Sequence, residues 1–384
     1  MEQRLKFSKE ASDSIHRALF ILSRKQDNRI AYNGREYIDF SSNDYLSLAG
    51  HPELRKAAGE GLTRAVGTSA SRLITGTTPL HALLEEEIAS FKNKPAALIF
   101  NTGYQANLGI ISAVSEKKDV IFSDRLNHAS IVDGIRLSGS DFFRFRHNDT
   151  GHLTALLEKY RGRYDNALII TESLFSMDGD IAPLKAITEL KKRFDSILMV
   201  DEAHASGVFG ENGSGLTGAY DISPDVDIIM GTFSKALGGF GAYAALSNEM
   251  RDHMINHSRS FIYSTSLPEC IISADLAALG LVKNEPFRRK TLLLNAEYMR
   301  NELKASGISV TGKSQIIPLI TGSNDEAVRL SLYLREKGFW AVPIRPPTVP
   351  RGKARVRVSL TYNHSKETID SFIDAIKKYN IRYG

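Results

Sequence analysis

The amino-acid sequence predicts an α/β fold: a mostly parallel, doubly wound sheet followed by a smaller α+β unit at the C-terminal end. Three observations predict it. Seven short apolar runs, at 97–100, 120–123, 142–145, 167–171, 197–200, 228–230 and 242–246, are spaced by helical segments. Several lack the in/out alternation of a half-exposed strand, as strands buried on both faces do. The pattern then changes near residue 285, where charged helices and fewer strands begin.

Taken in order, the segment to about residue 40 is basic and helical at first. A hairpin follows at 29–40, with Asn33-Gly34 as its tight turn. Thr78-Pro79 opens a helix whose Leu80, Leu83, Leu84 and Ile88 share one face. The seven strands and their helices come next. Beyond 285 lie a charged helix, a strand at 316–321, an amphipathic helix at 325–337, a run at 341–360 and a last helix. Three units are expected: an N-terminal segment (1–45), a large α/β domain (46–284) and a small α+β domain (285–384).

Composition narrows the function. Of 384 residues, 42% are hydrophobic and 24% charged, the ordinary globular range. The formal charge of +5, from 49 basic and 44 acidic residues, is too small to argue for nucleic acid, though it suits a phosphate or coenzyme A thioester. Cys270 stands alone, so a disulfide framework or cysteine metal site is excluded within one chain and a reducing cytoplasm is expected. The N-terminus has no apolar core of a secretory signal. The longest charge-free stretch, 95–115, carries Asn101, Gln105 and Asn107, so no membrane span is expected.

The chemistry gathers at strand ends, where open α/β sheets bind ligands. Lys235 follows the run Ile228-Ile-Met-Gly-Thr-Phe-Ser and precedes Gly238-Gly239. A lysine among hydroxyls and glycines suits covalent attachment of an aldehyde cofactor bearing a phosphate, which is pyridoxal phosphate (PLP); an ordinary solvated loop fits the same residues. Asp201, in Asp201-Glu-Ala-His204, can pair with a pyridine nitrogen, or simply cap a loop. His204 could contact the same ring. Gly103 and Tyr104 open a helix whose amides favour a phosphate; a plain strand–helix turn is the alternative. His128 could stack on a planar cofactor or be structural. Jointly the four strand ends match what PLP needs. Arg345, on a turn fixed by two prolines, suits a bidentate grip on a substrate carboxylate.

Period two puts Arg351, Lys353, Arg355 and Arg357 on one strand face, expected to meet solvent or acidic groups. Two motifs mislead. Asp201-Glu-Ala-His spells a helicase box, but the chain has no G-x-x-x-x-G-K-[ST] loop, which argues against an ATP-driven nucleic-acid motor. Gly213-Ser-Gly-Leu-Thr-Gly218 matches the dinucleotide fingerprint, yet follows no strand directly and has no acidic residue about 20 positions on.

The chain resembles the α-oxoamine synthases, PLP enzymes of the aspartate aminotransferase fold (fold type I). The likeness spans nearly the whole length: Phe40-Ser-Ser-Asn-Asp-Tyr-Leu, Leu126-Asn-His-Ala-Ser, Phe175-Ser-Met-Asp-Gly-Asp, Asp201-Glu-Ala-His, Thr232-Phe-Ser-Lys and Tyr263-Ser-Thr-Ser. The resemblance implies that Lys235 forms the Schiff base and then moves a proton, Asp201 pairs with the pyridine nitrogen, and His128 stacks on the ring and meets substrate. It implies that Ser176 and His204 reach the ring hydroxyl, and that Gly103, Tyr104 and Thr232 hold the cofactor. Arg17, Arg345 and Thr348 align with substrate contacts. A homodimer is implied, with the site at the interface and Thr265 reaching the neighbour's phosphate. No metal is implied. Within the family, Arg345-Pro-Pro-Thr-Val-Pro resembles the member condensing L-alanine with pimeloyl-CoA or pimeloyl-carrier protein; the alternative pairs glycine with acetyl-CoA. As a base, Lys235 needs a pKa below its usual value of roughly 10.4.

Overall fold

The computed structural model describes residues 19–25 and 27–383. The expected N-terminal helix and Arg17 lie outside them. The described chain starts with strands β1 (Ser23–Arg24), β2 (Arg29–Tyr32) and β3 (Arg35–Asp39), then helices α1 (Pro52–Leu62) and α2 (Pro79–Lys92). The β2–β3 turn is the expected one: Asn33 and Gly34 both have positive φ, 50° and 77°, the two-residue geometry that matches strand twist. Thr78 caps α2 with Pro79 at its first position. Leu84 and Ile88 of that helix are buried, but Leu83 is not: it is 44% exposed, so the apolar stripe is narrower than expected.

The central sheet follows: β4 (Ala96–Phe100), α3 (Gly103–Val114), β5 (Val120–Asp124), α4 (Ala129–Ser138), β6 (Asp141–Phe145), α5 (Thr150–Tyr160), β7 (Ala167–Glu172), α6 (Leu184–Arg193), β8 (Ile197–Asp201), α7 (Leu216–Ala219), β9 (Ile228–Thr232) and β10 (Ala242–Leu246). All seven expected runs are strands, in the order β4-β10-β9-β8-β7-β5-β6. Only β10 is reversed, pairing antiparallel with β4 and β9. The other six point the same way, so their carboxyl ends share one edge. Most of these strands are buried throughout, because helices cover both faces. Ile110, Ile111, Ile131 and Ile135 of α3 and α4 pack on one face. Leu84, Leu153, Leu157, Leu184 and Ile187 of α2, α5 and α6 pack on the other.

The remaining elements are α8 (Asn248–His257), α9 (Arg259–Ile262), α10 (Glu269–Asn284), α11 (Pro286–Ala305), β11 (Ile316–Gly322), α12 (Asn324–Glu336), β12 (Phe339–Trp340), β13 (Val342–Ile344), β14 (Ala354–Ser359) and α13 (Lys366–Tyr383). A separate antiparallel sheet, β11-β14-β13, forms here, while β12 joins the N-terminal hairpin in parallel with β3. Among the described residues no helix is long and apolar enough to cross a membrane.

Both settings expected for the basic face of Arg351, Lys353, Arg355 and Arg357, solvent and an acidic group, occur along it. Arg351 and Lys353 precede the strand and are exposed, but Arg355 and Arg357 are buried, at 2% and 6% exposure. The reason is the loop after β7. Arg355 donates to Asp178 Oδ1 (2.6 Å) and the Met177 carbonyl (2.9 Å), and Arg357 to the Ser176 carbonyl (2.6 Å). Buried guanidinium groups need such acceptors. They pin the C-terminal sheet to the central one.

Candidate active site

The shared strand edge collects the expected groups. Asp201 is the last residue of β8, and β9 leads through Thr232 to Lys235. β4 ends just before Gly103, the first residue of α3, and β5 just before His128, the N-cap of α4. Lys235 Nζ lies 2.8 Å from His204 Nε2, and His204 Nδ1 lies 2.7 Å from the Tyr45 hydroxyl. That hydroxyl also receives Arg357 Nη2 (3.2 Å). The Asp201 carboxylate accepts from Asn107 Nδ2 (3.0 Å) and from the Ala203 amide (2.9 Å).

Burial sets the electrostatics. Lys235 keeps some surface exposure, but its amine is enclosed, and desolvation lowers its pKa to about 8 against the pull of Asp201 and Glu172; Arg357 lowers it further. His204 is held well below an ordinary imidazole by burial, then by the charges of Lys235 and Arg357. It is therefore neutral, accepting a hydrogen bond on one nitrogen while donating one from the other. Burial also lowers His128, against Asp201.

Four residues of this site were not singled out by sequence reasoning. Glu172 ends β7 directly across from Asp201 in the parallel register, so both side chains leave the same face. It is buried, its Oε1 has no partner, and burial, then Asp201, raises its pKa to about 8. Its signal was a carboxylate closing an otherwise apolar run. Tyr45 and Asn43 sit inside Phe40-Ser-Ser-Asn-Asp-Tyr-Leu, and Asn43 Oδ1 accepts from Arg357 Nη2 (3.1 Å). Arg357 was expected on a face meeting solvent or acidic groups; it is buried and meets neutral oxygens instead, because periodicity reads faces and not what covers them.

Other expected positions vary in setting. The Thr232 hydroxyl donates to the Gly241 carbonyl (2.7 Å) and accepts from the Ser234 amide (3.2 Å), while Ser234 is exposed. Tyr104 is half-exposed, its hydroxyl bonded to Asp133. Ser176 meets Arg357 through its carbonyl. Thr265 is exposed and accepts from Asn101 Nδ2 through its carbonyl (2.7 Å), beside the start of α3. Arg345 follows β13, and its carbonyl accepts from the Thr348 amide (3.1 Å), closing the proline turn.

The two misleading motifs have one structural explanation. Glu202, the second residue of Asp201-Glu-Ala-His, is fully buried against Lys92 (2.7 Å). The Gly213–Gly218 loop wraps that carboxylate: the Thr217 amide donates at 2.8 Å and its hydroxyl at 3.1 Å. Gly215, at φ +104°, lies so close that any Cβ would overlap the carboxylate. The glycine-rich loop cradles an anion, but an internal one. Among the described residues no cluster of three or more His, Cys, Asp or Glu suits a metal ion.

Comparison with known proteins agrees with this architecture. Residues 35–376 match the family model "Aminotransferase class I and II". An 8-amino-7-oxononanoate synthase of Geobacter sulfurreducens is 45% identical over 374 residues, covering 96% of this chain and 95% of that protein. Among solved structures, a serine palmitoyltransferase of Sphingomonas wittichii superimposes with TM-score 0.89 at 30% identity, covering 93% and 90% of the two chains. An 8-amino-7-oxononanoate synthase of Francisella tularensis gives TM-score 0.78 at 32% identity, covering 90% and 98%. With its reversed strand β10, its strand-end lysine and aspartate, and these relatives along nearly its full length, the chain belongs to the class I and II aminotransferase family, in its α-oxoamine synthase branch.

Proposed function

We propose that this protein condenses L-alanine with a pimeloyl thioester, on coenzyme A or a carrier protein, releasing carbon dioxide and 8-amino-7-oxononanoate for biotin synthesis, with PLP as cofactor. The observation that carries the reading is the enclosed Lys235 amine, 2.8 Å from a neutral His204 and just beyond the end of β9, the strand beside the one that ends in Asp201. The relative at 45% identity supports the specific substrates.

The residues present fit PLP. A buried carboxylate on one strand end, an amine on the next, the first-turn amides of α3 and the hydroxyls of Thr232 and Ser234 match its ring nitrogen, aldehyde and phosphate. The unpartnered Glu172 Oε1 shows polar capacity left at the same edge. When bound, PLP draws electrons from the amino acid's α-carbon, which makes carbanion chemistry accessible.

The chain's own residues do the rest. Lys235 would tether the cofactor and would move the α-proton of alanine; a pKa near 8 leaves a useful fraction of neutral amine at physiological pH. His204, neutral, takes the hydrogen bond of the amine and holds its direction. Asp201 carries the negative charge that matches a protonated ring nitrogen. His128 would cover the ring of a bound cofactor, Gly103, Tyr104 and Thr232 would hold it, Thr232 through the phosphate, and Ser176 would serve the ring hydroxyl. Arg345 is the expected grip for a substrate carboxylate, with Thr348 beside it. A second reading favours Arg357 for alanine's carboxylate, because its charge acts on both Lys235 and His204; Arg345 then serves the pimeloyl carboxylate.

The working form is a homodimer in the cytoplasm, with Thr265 turned towards the neighbour's site. Ile74 and Tyr263 are 75% and 72% exposed beside the Ser71–Thr265 bridge, an apolar face that a second copy would cover. Thiol release with alanine plus pimeloyl-CoA, against glycine plus acetyl-CoA and serine plus palmitoyl-CoA, tests the substrates; faster turnover of either competing pair overturns the assignment. Sedimentation tests the dimer, which a monomer at micromolar concentration would overturn.

A further inference from the structure

We propose that Asn107 is a positioning residue that ties the cofactor's two flanking groups, Asp201 and His128, into one unit. The inference rests on PLP being the group held at this edge. Asn107 lies on α3, 1% exposed, and its Nδ2 makes two hydrogen bonds: to Asp201 Oδ2 at 3.0 Å and to Ser130 Oγ at 2.9 Å. Ser130 Oγ lies 2.8 Å from His128 Nδ1.

Donor logic fixes the direction of this chain. A carboxylate only accepts, so the amide nitrogen must face Asp201. The Ser130 amide donates to His128 Nδ1 (3.3 Å), so that nitrogen is an acceptor. Ser130 Oγ accepts from Asn107 and passes its own proton towards His128 Nδ1. The order is Asn107 N–H to Ser130 O–H to His128 Nδ1, which leaves the imidazole proton on Nε2. One amide group thereby orients the Asp201 carboxylate and sets the tautomer of His128.

The fold is built to permit it. Ser130 and Gly134 are four residues apart on α4 and face Asn107 and Ile111, four apart on α3. A Cβ at Gly134 would come within 2.9 Å of the Asn107 carbonyl and 3.0 Å of Ile111. The missing side chain lets the helices approach closely enough for Asn107 to reach Ser130.

The test uses full-length protein freed of cofactor and titrated with PLP, reading the visible absorption across pH. Asn107→Ala is expected to weaken PLP binding about tenfold, the value of losing one hydrogen bond to a charged group. It should also raise the pH midpoint of the absorption change, because Asp201 loses a donor and its negative charge acts more strongly on protonated cofactor. Ser130→Ala cuts only the His128 arm, and its effect should add less than fully to that of Asn107→Ala. Unchanged affinity and midpoint in Asn107→Ala, or full additivity, would overturn the proposal. If Asn107→Ala does not fold, Gly134→Ala and Ser130→Ala decide: a shifted midpoint supports it and an unshifted one overturns it. Wild-type protein that binds no PLP would instead overturn the cofactor reading itself.

Discussion

Two enclosed lysines, Lys92 and Lys235, each sit near one of the adjacent carboxylates Glu202 and Asp201 and end in opposite states. Burial acts against the charge of both. At Lys92 that penalty is more than offset by Glu202 at 2.7 Å, then by Tyr243, so its pKa is raised; the Ser206 hydroxyl at 2.8 Å and the Ser214 carbonyl also accept from the amine. At Lys235 the hydrogen-bond partner at the amine is a neutral imidazole, and its pKa falls to about 8. The lesson is that charge state follows contact and not neighbourhood. A saturated lysine holds the turn in place, and an under-supplied one is left reactive.

The largest expected effect tests the reactive side. Lys235→Ala should lower kcat by about a thousandfold or more, and borohydride should no longer fix cofactor to the chain. Full activity in this variant would break both the comparison and the proposed function. Next comes the saturated side. Lys92→Ala leaves Glu202 buried without its counter-charge and should cost about 3–5 kcal/mol in denaturant unfolding. Lys92→Met with Glu202→Leu should recover most of that loss. Unchanged stability in Lys92→Ala would show that the buried pair contributes nothing net.

A smaller effect separates the two arginines. Lysine keeps the charge and loses the fork. Arg357→Lys should raise the KM for alanine about tenfold, the value of about one charged hydrogen bond, and more than Arg345→Lys does. The reverse ranking would return alanine's carboxylate to Arg345 and leave Arg357 as the strut between β14 and the Ser176 loop.

The seven strands were legible because each is buried on both faces, and burial leaves a run of apolar letters. Lys235, Asp201 and His128 were legible because they interrupt or follow such runs at the ends where ligands bind. Arg357 was not. Strand periodicity told that it shares a face with Arg355, but the acceptors that bury it, Ser176 and Asn43, come from segments about 180 and 310 residues away. Leu83 failed for a related reason: helical spacing marks a face without showing how wide the covering surface is. The glycine-rich fingerprint at 213–218 was rightly set aside, yet its letters do encode an anion cradle. What they cannot encode is that the anion is Glu202.

The smallest prediction extends the comparison to two histidines. His204 is held neutral, whereas His147 is raised to about 10, because Asp124 and Asp180 outweigh its burial. Its Nδ1 lies 3.0 Å from Asp124 and its Nε2 2.8 Å from Asp180. Carboxylates only accept, so the ring donates from both nitrogens and is an imidazolium. It ties the turn that leads to His128 to the loop that carries Ser176. A folded pKa above the unfolded value of about 6.5 stabilises the protein fully below that pH. The contribution fades as pH rises from about 6.5 to about 10. His147→Gln should therefore be less stable than wild type at pH 6, by on the order of 1 kcal/mol because the cluster is partly solvated, and the gap should close towards pH 10. Lys235 pushes the other way: its lowered pKa makes stability rise with pH between about 8 and its unfolded value. That slope is common to both proteins and cancels in their difference. A gap constant from pH 6 to 10 would mean that His147 packs without carrying charge, and the contrast with His204 would fail.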